Sequence, residues 1–178
     1  MIRLFAALAM PLEIAEGLIR RQHGLPGARW RPPEAFHVTL RFFGDLREDL
    51  AADLDTELST VAGERMTLEL AGVGAFGEAE HIHAVWAGVE DNPALRHLAK
   101  SCETAARRAG LAADTRAYKP HVTLAYLRRP DPDRVAYWIQ ANNLLHSPPF
   151  TVRSFGLYSS WQSEDGSRYR LEREYALT

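Results

Sequence analysis

Cysteine is almost absent: Cys102 is the only one in 178 residues. No internal disulfide can form, and a cysteine-based zinc cluster within one chain is excluded. That usage fits a reducing, cytoplasmic setting, and the helical pattern around Cys102 favours packing over catalysis. Long apolar runs are missing as well. None approaches the roughly 20 residues of a membrane helix. The apolar opening Met1 to Met10 contains Arg3 and leads into the polar stretch Glu13 to Arg21 without a small-residue cleavage site, so it reads as a first strand and not a signal peptide. A strong charge of either sign is also lacking, since the formal net charge is −2. There is no global pull toward nucleic acid, so any phosphate must be held by a local basic site with a footprint of a few nucleotides.

What is present is an ordinary globular composition, 46% apolar and 25% charged, in a chain long enough for a sizeable core and short enough for one domain, residues 1–178, with two lobes. Runs with strand character cover Ile2 to Leu8, Phe36 to Phe43, Met66 to Leu70, Ile82 to Val89, Pro120 to Leu127, Phe150 to Tyr158 and Tyr169 to Ala176. Between them, Leu12 to Arg21, Glu48 to Val61, Pro93 to Ala109 and Asp133 to Asn142 carry apolar residues at three- and four-residue spacing, which predicts helices. Asp165-Gly166 marks a closing hairpin.

The chain also repeats itself. His37-Val38-Thr39-Leu40 falls on His121-Val122-Thr123-Leu124 at an offset of 84, the difference between positions 37 and 121. Without a gap, Phe42 then falls on Tyr126, Asp49 on Asp133, Leu54 on Trp138, Thr67 on Thr151, Leu68 on Val152 and Gly72 on Gly156. Near the start the offset drops to about 80, aligning Phe5 and Ala7 with Val85 and Ala87. A duplicated unit of this size predicts an α+β, bilobal architecture: two antiparallel sheets with flanking helices, related by a pseudo-twofold, with an active-site cleft between them.

Alternation along a strand puts His37 and Thr39 on one face, with Val38 and Leu40 turned into a core, and the same holds for His121 and Thr123. A twofold brings the two imidazoles and two hydroxyls to one volume. Hydrolysis of a phosphodiester needs one group to take a proton from the nucleophile and another to give one to the leaving oxygen. Histidine suits both jobs near neutral pH, and threonine hydroxyls can donate to non-bridging phosphate oxygens. The structural alternative, an ancestral packing motif, would bury four polar groups without use, which is costly.

These residues resemble the 2H phosphoesterases, in particular the RNA 2′,3′-cyclic phosphodiesterases also called 2′-5′ RNA ligases. The similarity spans nearly the whole chain. Arg3-Leu4-Phe5-Ala6-Ala7-Leu8 looks like the family's opening strand, and Trp30 through Pro33, Glu34 and Phe36 to Gly44 look like its first motif. Lys119-Pro120-His121-Val122-Thr123-Leu124 resembles the second, and Leu157 to Tyr169 the closing hairpin. The resemblance implies His37 as proton donor and His121 as proton acceptor. It implies opening of a terminal 2′,3′-cyclic phosphate to a 2′-phosphomonoester, with the reverse 2′-5′ ligation as a companion activity. The expected partner is an RNA end or short oligonucleotide, with no membrane, and the expected state is a monomer. One departure matters: the family's second motif commonly continues to an arginine where this chain has Tyr126. Arg41, which alternation places beside His37 and Thr39, is then the leading candidate for a phosphate clamp. The alternatives are the shifted Arg128 or Arg129 as clamp, and for Arg41 a rim position paired with Asp45 or Glu48.

Other residues compete for a role. His81-x-His83, on a strand-like run, could offer two imidazoles to a metal, but no third ligand is evident. No metal and no cofactor are expected. Phe42, Phe43, Tyr126 and Trp161 could stack a base, Phe42 first among them, and the substrate-binding set is Thr39, Thr123, Arg41, Phe42 and Tyr126. Two other readings remain open from the residues alone: an enzyme for small cyclic phosphates derived from ADP-ribose, and a non-catalytic binder of RNA ends or nucleotides.

Overall fold

The computed structural model describes residues 1–178. The chain opens with β1 (Ile2–Ala9), α1 (Leu12–Ile19), β2 (Arg29–Trp30), β3 (His37–Leu46) and α2 (Glu48–Ser59). It continues through β4 (Met66–Leu68), β5 (Leu70–Phe76), β6 (Ala84–Val89) and α3 (Pro93–Arg108). The last part is β7 (His121–Tyr126), α4 (Pro132–Asn142), β8 (Phe150–Val152), β9 (Ser154–Ser163) and β10 (Gly166–Ala176). Two antiparallel four-stranded sheets, ordered β10-β9-β1-β3 and β2-β7-β6-β5, are joined by the two-stranded ribbon β4-β8. This is the two-sheet α+β architecture expected.

The helices begin where local chemistry allows. Asn92 accepts a hydrogen bond from the Leu95 N–H ahead of Pro93, and Asp131 accepts one from the Asp133 N–H ahead of Pro132, so a side chain satisfies a free donor just where proline removes another. The helices cover the sheets with Leu54 and Leu58 of α2, Leu95, Leu98 and Cys102 of α3, and Val135 and Trp138 of α4. Burial pushes the Cys102 thiol up to about 12, which leaves it a packing residue.

The repeat is written into the pairing. The starts of β3 and β7 (37, 121), α2 and α4 (48, 132), β4 and β8 (66, 150) and β5 and β9 (70, 154) all differ by 84. In the ribbon, Thr67 pairs with Thr151, its own counterpart at that offset, as a local twofold through the ribbon requires. Each half also lends a strand to the other: β5 pairs with β6, and β9 pairs with β1. That exchange explains why the expected strands Met66 to Leu70 and Phe150 to Tyr158 are each split. At Glu69 and at Arg153 the chain leaves the ribbon and takes a new partner in a sheet.

Two elements went unpredicted. β2 is two residues long, and β5 carries Gly72 and Gly74, residues of low strand propensity. His81-x-His83 is not on a strand. His81 closes a single 3-10 turn, Ala79–His81, and His83 precedes β6, so the period-two argument for a shared face does not apply to it.

Leu54 is fully buried, and its replacement by alanine should cost about 2–5 kcal/mol. The expected reading is a lower urea midpoint with an unchanged slope. A Leu54→Ala protein as stable as the parent would show that α2 contributes little to the core.

Candidate active site

In β3, Val38 and Leu40 enter the core while His37 and Thr39 stay half-buried on the other face; in β7, Val122 and Leu124 are buried and His121 and Thr123 half-buried. The two faces meet across a cavity of about 190 Å³, lined by Arg31, Ala35, His37, Thr39, His121, Thr123, Tyr126 and Tyr169. All four residues of the two His-x-Thr pairs are therefore brought together.

His121 is tied to the main chain two residues before it, its Nδ1 donating to the Lys119 carbonyl at 2.7 Å. A carbonyl can only accept, so the neutral His121 ring carries its proton on Nδ1 and presents the lone pair of Nε2. Aromatic walls complete both sites. Phe5 and Tyr169 stand 4.9 and 5.2 Å from the His37 ring, and Phe76 stands 4.8 Å from that of His121. Burial, then the charge of Arg31, lowers the His37 pKa to about 4, against the opposing influence of the Ala35 carbonyl. His121 is lowered mainly by burial, with the Lys119 ammonium adding to it and the bond to the Lys119 carbonyl opposing it.

Arg31 is the residue of this cavity's lining whose charge the sequence reading missed. Only 7% exposed, it donates from Nη2 to the Ser167 carbonyl at 3.0 Å and to the Tyr169 hydroxyl at 3.4 Å. Its guanidinium carbon lies 5.5 Å from the centre of the Tyr126 ring and 5.7 Å from that of Tyr169. No carboxylate pairs with it. A buried charge without a counter-ion is costly, and here it faces the cavity between the two histidines. Its position follows from β2, which sets Arg29 opposite Tyr126 and Trp30 opposite Ala125, while the Arg31 N–H donates to the Leu124 carbonyl at 2.8 Å. Arg31 thus reaches the neighbourhood of Tyr126 from the adjacent strand. A two-residue strand leaves no periodicity to read, so the only trace was its place between Trp30 and Pro32-Pro33.

Arg41 lies beside Thr39 but is engaged with α3, outside the smaller cavity between the two histidines. A register shift in the β1–β3 pairing leaves Leu40 without a partner, since Ala6 faces Arg41 and Ala7 faces Thr39. Arg41 Nε pairs with Glu103 of α3, Nη1 donates to the Phe42 carbonyl and Nη2 to the Ala112 carbonyl at 2.8 Å. It is neither on the 190 Å³ cavity nor paired with Asp45 or Glu48, since Asp45 binds Arg3.

Arg41 and Phe42 line a second cavity of about 760 Å³, which shares Thr39 and His121 with the first and also includes His83. Phe42 is 44% exposed at its edge, Phe43 is in the core, and Trp161 is exposed on β9 outside both cavities. Arg128 and Arg129 follow β7, exposed and outside both. His81 lines neither cavity. Glu69, Glu90 and His146 gather closely enough to share an ion, but none of them lines either cavity.

Comparison with known proteins agrees on one family. A model described as the 2′-5′ RNA ligase superfamily matches residues 11–163. The RNA 2′,3′-cyclic phosphodiesterase of Escherichia coli (strain K12) is 30% identical, with 99% of this chain and 97% of that protein covered. The Archaeoglobus fulgidus protein of the same name is 28% identical over 95% of this chain and 97% of its own. Among solved structures, E. coli LigT complexed with 3′-AMP superposes with a TM-score of 0.81 at 27% identity, over 99% of this chain and 98% of that one.

In the ligand-free protein the His37 ring should stay neutral down to about pH 4, and His121 should titrate below the ordinary 6.5. Because the unfolded His37 binds its proton more readily than the folded one, stability is lost as pH falls from about 6.5 toward 4. An NMR titration of the imidazoles checks this. His37 titrating at or above 6.5 would mean that burial and Arg31 are not felt at its ring.

Proposed function

The chain belongs to the 2′-5′ RNA ligase superfamily, and from that we propose that it is an RNA 2′,3′-cyclic phosphodiesterase, working as one bilobal unit, that opens the cyclic ester at an RNA end to a 2′-phosphomonoester. The observation that carries this reading is the meeting of both His-x-Thr pairs around one cavity with an unpaired, buried arginine. A cyclic phosphodiester is a monoanion, and the cavity holds a cation without a partner.

In the mechanism, Nε2 of His121 takes a proton from the attacking water, His37 gives one to the departing 3′ oxygen, and the P–O3′ bond breaks as the water oxygen bonds to phosphorus. The Thr39 and Thr123 hydroxyls donate to the non-bridging oxygens. Arg31, in place of the arginine missing at Tyr126, holds the same oxygens as charge builds on them. Tyr169 and Tyr126 keep its guanidinium in position. The low pKa of His37 comes from burial and from the charge of Arg31. A bound phosphodiester beside Arg31 cancels that charge and adds a negative one, so the His37 imidazolium is stabilised where it is needed as the acid. Proton uptake on binding is therefore part of the reading.

The decisive experiment is product analysis on an RNA carrying a 2′,3′-cyclic end, in EDTA. The expected product is a 2′-phosphate, with His37→Ala and His121→Ala each losing roughly a hundredfold to ten-thousandfold in rate. Abolition of parent activity by EDTA, a 3′-phosphate product, or full activity in either variant would overturn the mechanism.

The clamp is tested separately. Arg31→Ala should lower kcat/KM by roughly tenfold to a thousandfold, with Arg31→Lys restoring only part because a point charge cannot reproduce a two-point contact. Arg41→Ala, Arg128→Ala and Arg129→Ala should each change it by less than about threefold. A near-normal Arg31→Ala beside a crippled variant at any of the other three would move the clamp there.

A further inference from the structure

β3 and β7 carry the two His-x-Thr pairs but lie in different sheets, so no strand ladder sets one against the other. A segment that links them is the connection from α3 to β7, residues 109–120. Its last part bonds to both strands. The Tyr118 hydroxyl donates to the Thr39 carbonyl of β3 at 2.9 Å, and the carbonyl of the next residue, Lys119, accepts from His121 Nδ1 at 2.7 Å. Two consecutive residues therefore hold the main chain at one threonine of the site and the ring of one of its histidines.

The connection is itself anchored. Glu103 of α3 accepts from the Asp114 N–H at 2.9 Å and pairs with Arg41 of β3, whose Nη2 donates to the Ala112 carbonyl at 2.8 Å. The Tyr118 ring packs against the hydrophobic core. Burial raises its hydroxyl well above the ordinary pKa of 10, so at neutral pH it stays a hydrogen-bond donor. This donor meets β3 where the strand is least restrained: Leu40, next to Thr39, has no partner in β1, and a skipped residue disrupts the ladder around it. The bond from Tyr118 restrains the Thr39 peptide at that irregularity, and with it the aim of a side chain on the wall of the smaller cavity.

Resting on the catalytic reading above, we propose that Tyr118 is a positioning residue: through its bond to the Thr39 carbonyl it keeps the Thr39 hydroxyl aimed at the phosphate and fixed relative to His121. It acts through Thr39 and makes no bond to substrate. Its effect belongs in kcat, because the Thr39 contact strengthens as charge builds on the non-bridging oxygens. A misplacement of about 1 Å can cost roughly a hundredfold at a reacting centre, and loss of one restraint should cost less.

The test is a double-mutant cycle in kcat on an RNA with a 2′,3′-cyclic end, with urea unfolding of every variant measured alongside. Tyr118→Phe removes the hydroxyl and keeps the ring in its packing. In the parent it should lower kcat roughly fivefold to thirtyfold and leave KM within about twofold. In a Thr39→Ala background, which keeps the carbonyl but lacks the hydroxyl being aimed, Tyr118→Phe should change kcat by less than about twofold, while lowering the urea midpoint equally in both backgrounds. A residue that only stabilises the fold, or that touches substrate directly, would lower kcat by the same factor in both backgrounds, and that result would overturn the proposal. So would full kcat in Tyr118→Phe, or a Thr39→Ala enzyme as active as the parent. Absence of turnover by the parent on this RNA would instead remove the catalytic reading, and this inference with it.

Discussion

A half-buried imidazole needs a partner for its ring N–H, and for His121 that partner is the carbonyl of Lys119, two residues upstream at 2.7 Å. The two approaches to the His-x-Thr strands differ in sequence. Before His37 the chain runs through a 3-10 turn, Pro33–Ala35, and before His121 it passes Pro120. At His37 the neighbouring Ala35 carbonyl favours the charged ring, against burial and Arg31, which outweigh it. Once Nδ1–H of His121 is committed, Nε2 is the only ring nitrogen left for chemistry. The bond holds the orientation of that ring before any substrate arrives, so little ordering entropy remains to be lost on binding.

The distance between the rings depends on how the lobes are joined, and that joint is unusually shared. β5 and β9 each belong to one half of the repeat and pair in the sheet of the other, and β4 meets β8 at Thr67 and Thr151. One hydrophobic cluster includes residues of both sheets, from Leu4 and Leu8 to Val122 and Leu124. Separating the lobes would break strand ladders as well as apolar packing. The cleft is thus framed by elements that cannot move apart independently, a suitable setting for a reaction that tolerates little misplacement of its proton donor and acceptor.

Much of this was legible because a duplicated sequence states each feature twice. The offset between His37 and His121 predicted two equivalent strands, and it recurs in the starts of helices and ribbon strands. What failed was local. Alternation put Arg41 beside Thr39, and both do line the larger cavity, but its guanidinium pairs with Glu103 of α3, a partner more than sixty residues away in sequence that no local pattern announces. Met66 to Leu70 read as one strand, since nothing in its apolar pattern says that the chain changes partner at Glu69. His81-x-His83 has strand spacing but sits at a 3-10 turn. Arg31 was invisible for a different reason: it owes its position to a two-residue strand whose partner is nearly a hundred residues later.

Tyr126 and Arg31 show why a family pattern transfers by geometry more safely than by position. The arginine common in the second motif is absent from β7, yet β2 pairs with β7 at Tyr126 and brings a guanidinium to lie 5.5 Å from the centre of that tyrosine's ring. The tyrosine supplies a face for the cation, while the Ser167 carbonyl and Tyr169 hydroxyl bond its Nη2. These are neutral groups, so the charge is oriented without being cancelled. That distinction matters for catalysis. Arg41 is paired with Glu103, whereas Arg31 has no carboxylate partner and, after burial, is the next cause of the depressed pKa of His37. An anion entering the cavity therefore meets one uncompensated positive charge. By binding there it relieves the repulsion on His37, so capture of the phosphate and charging of the proposed acid become a single electrostatic event.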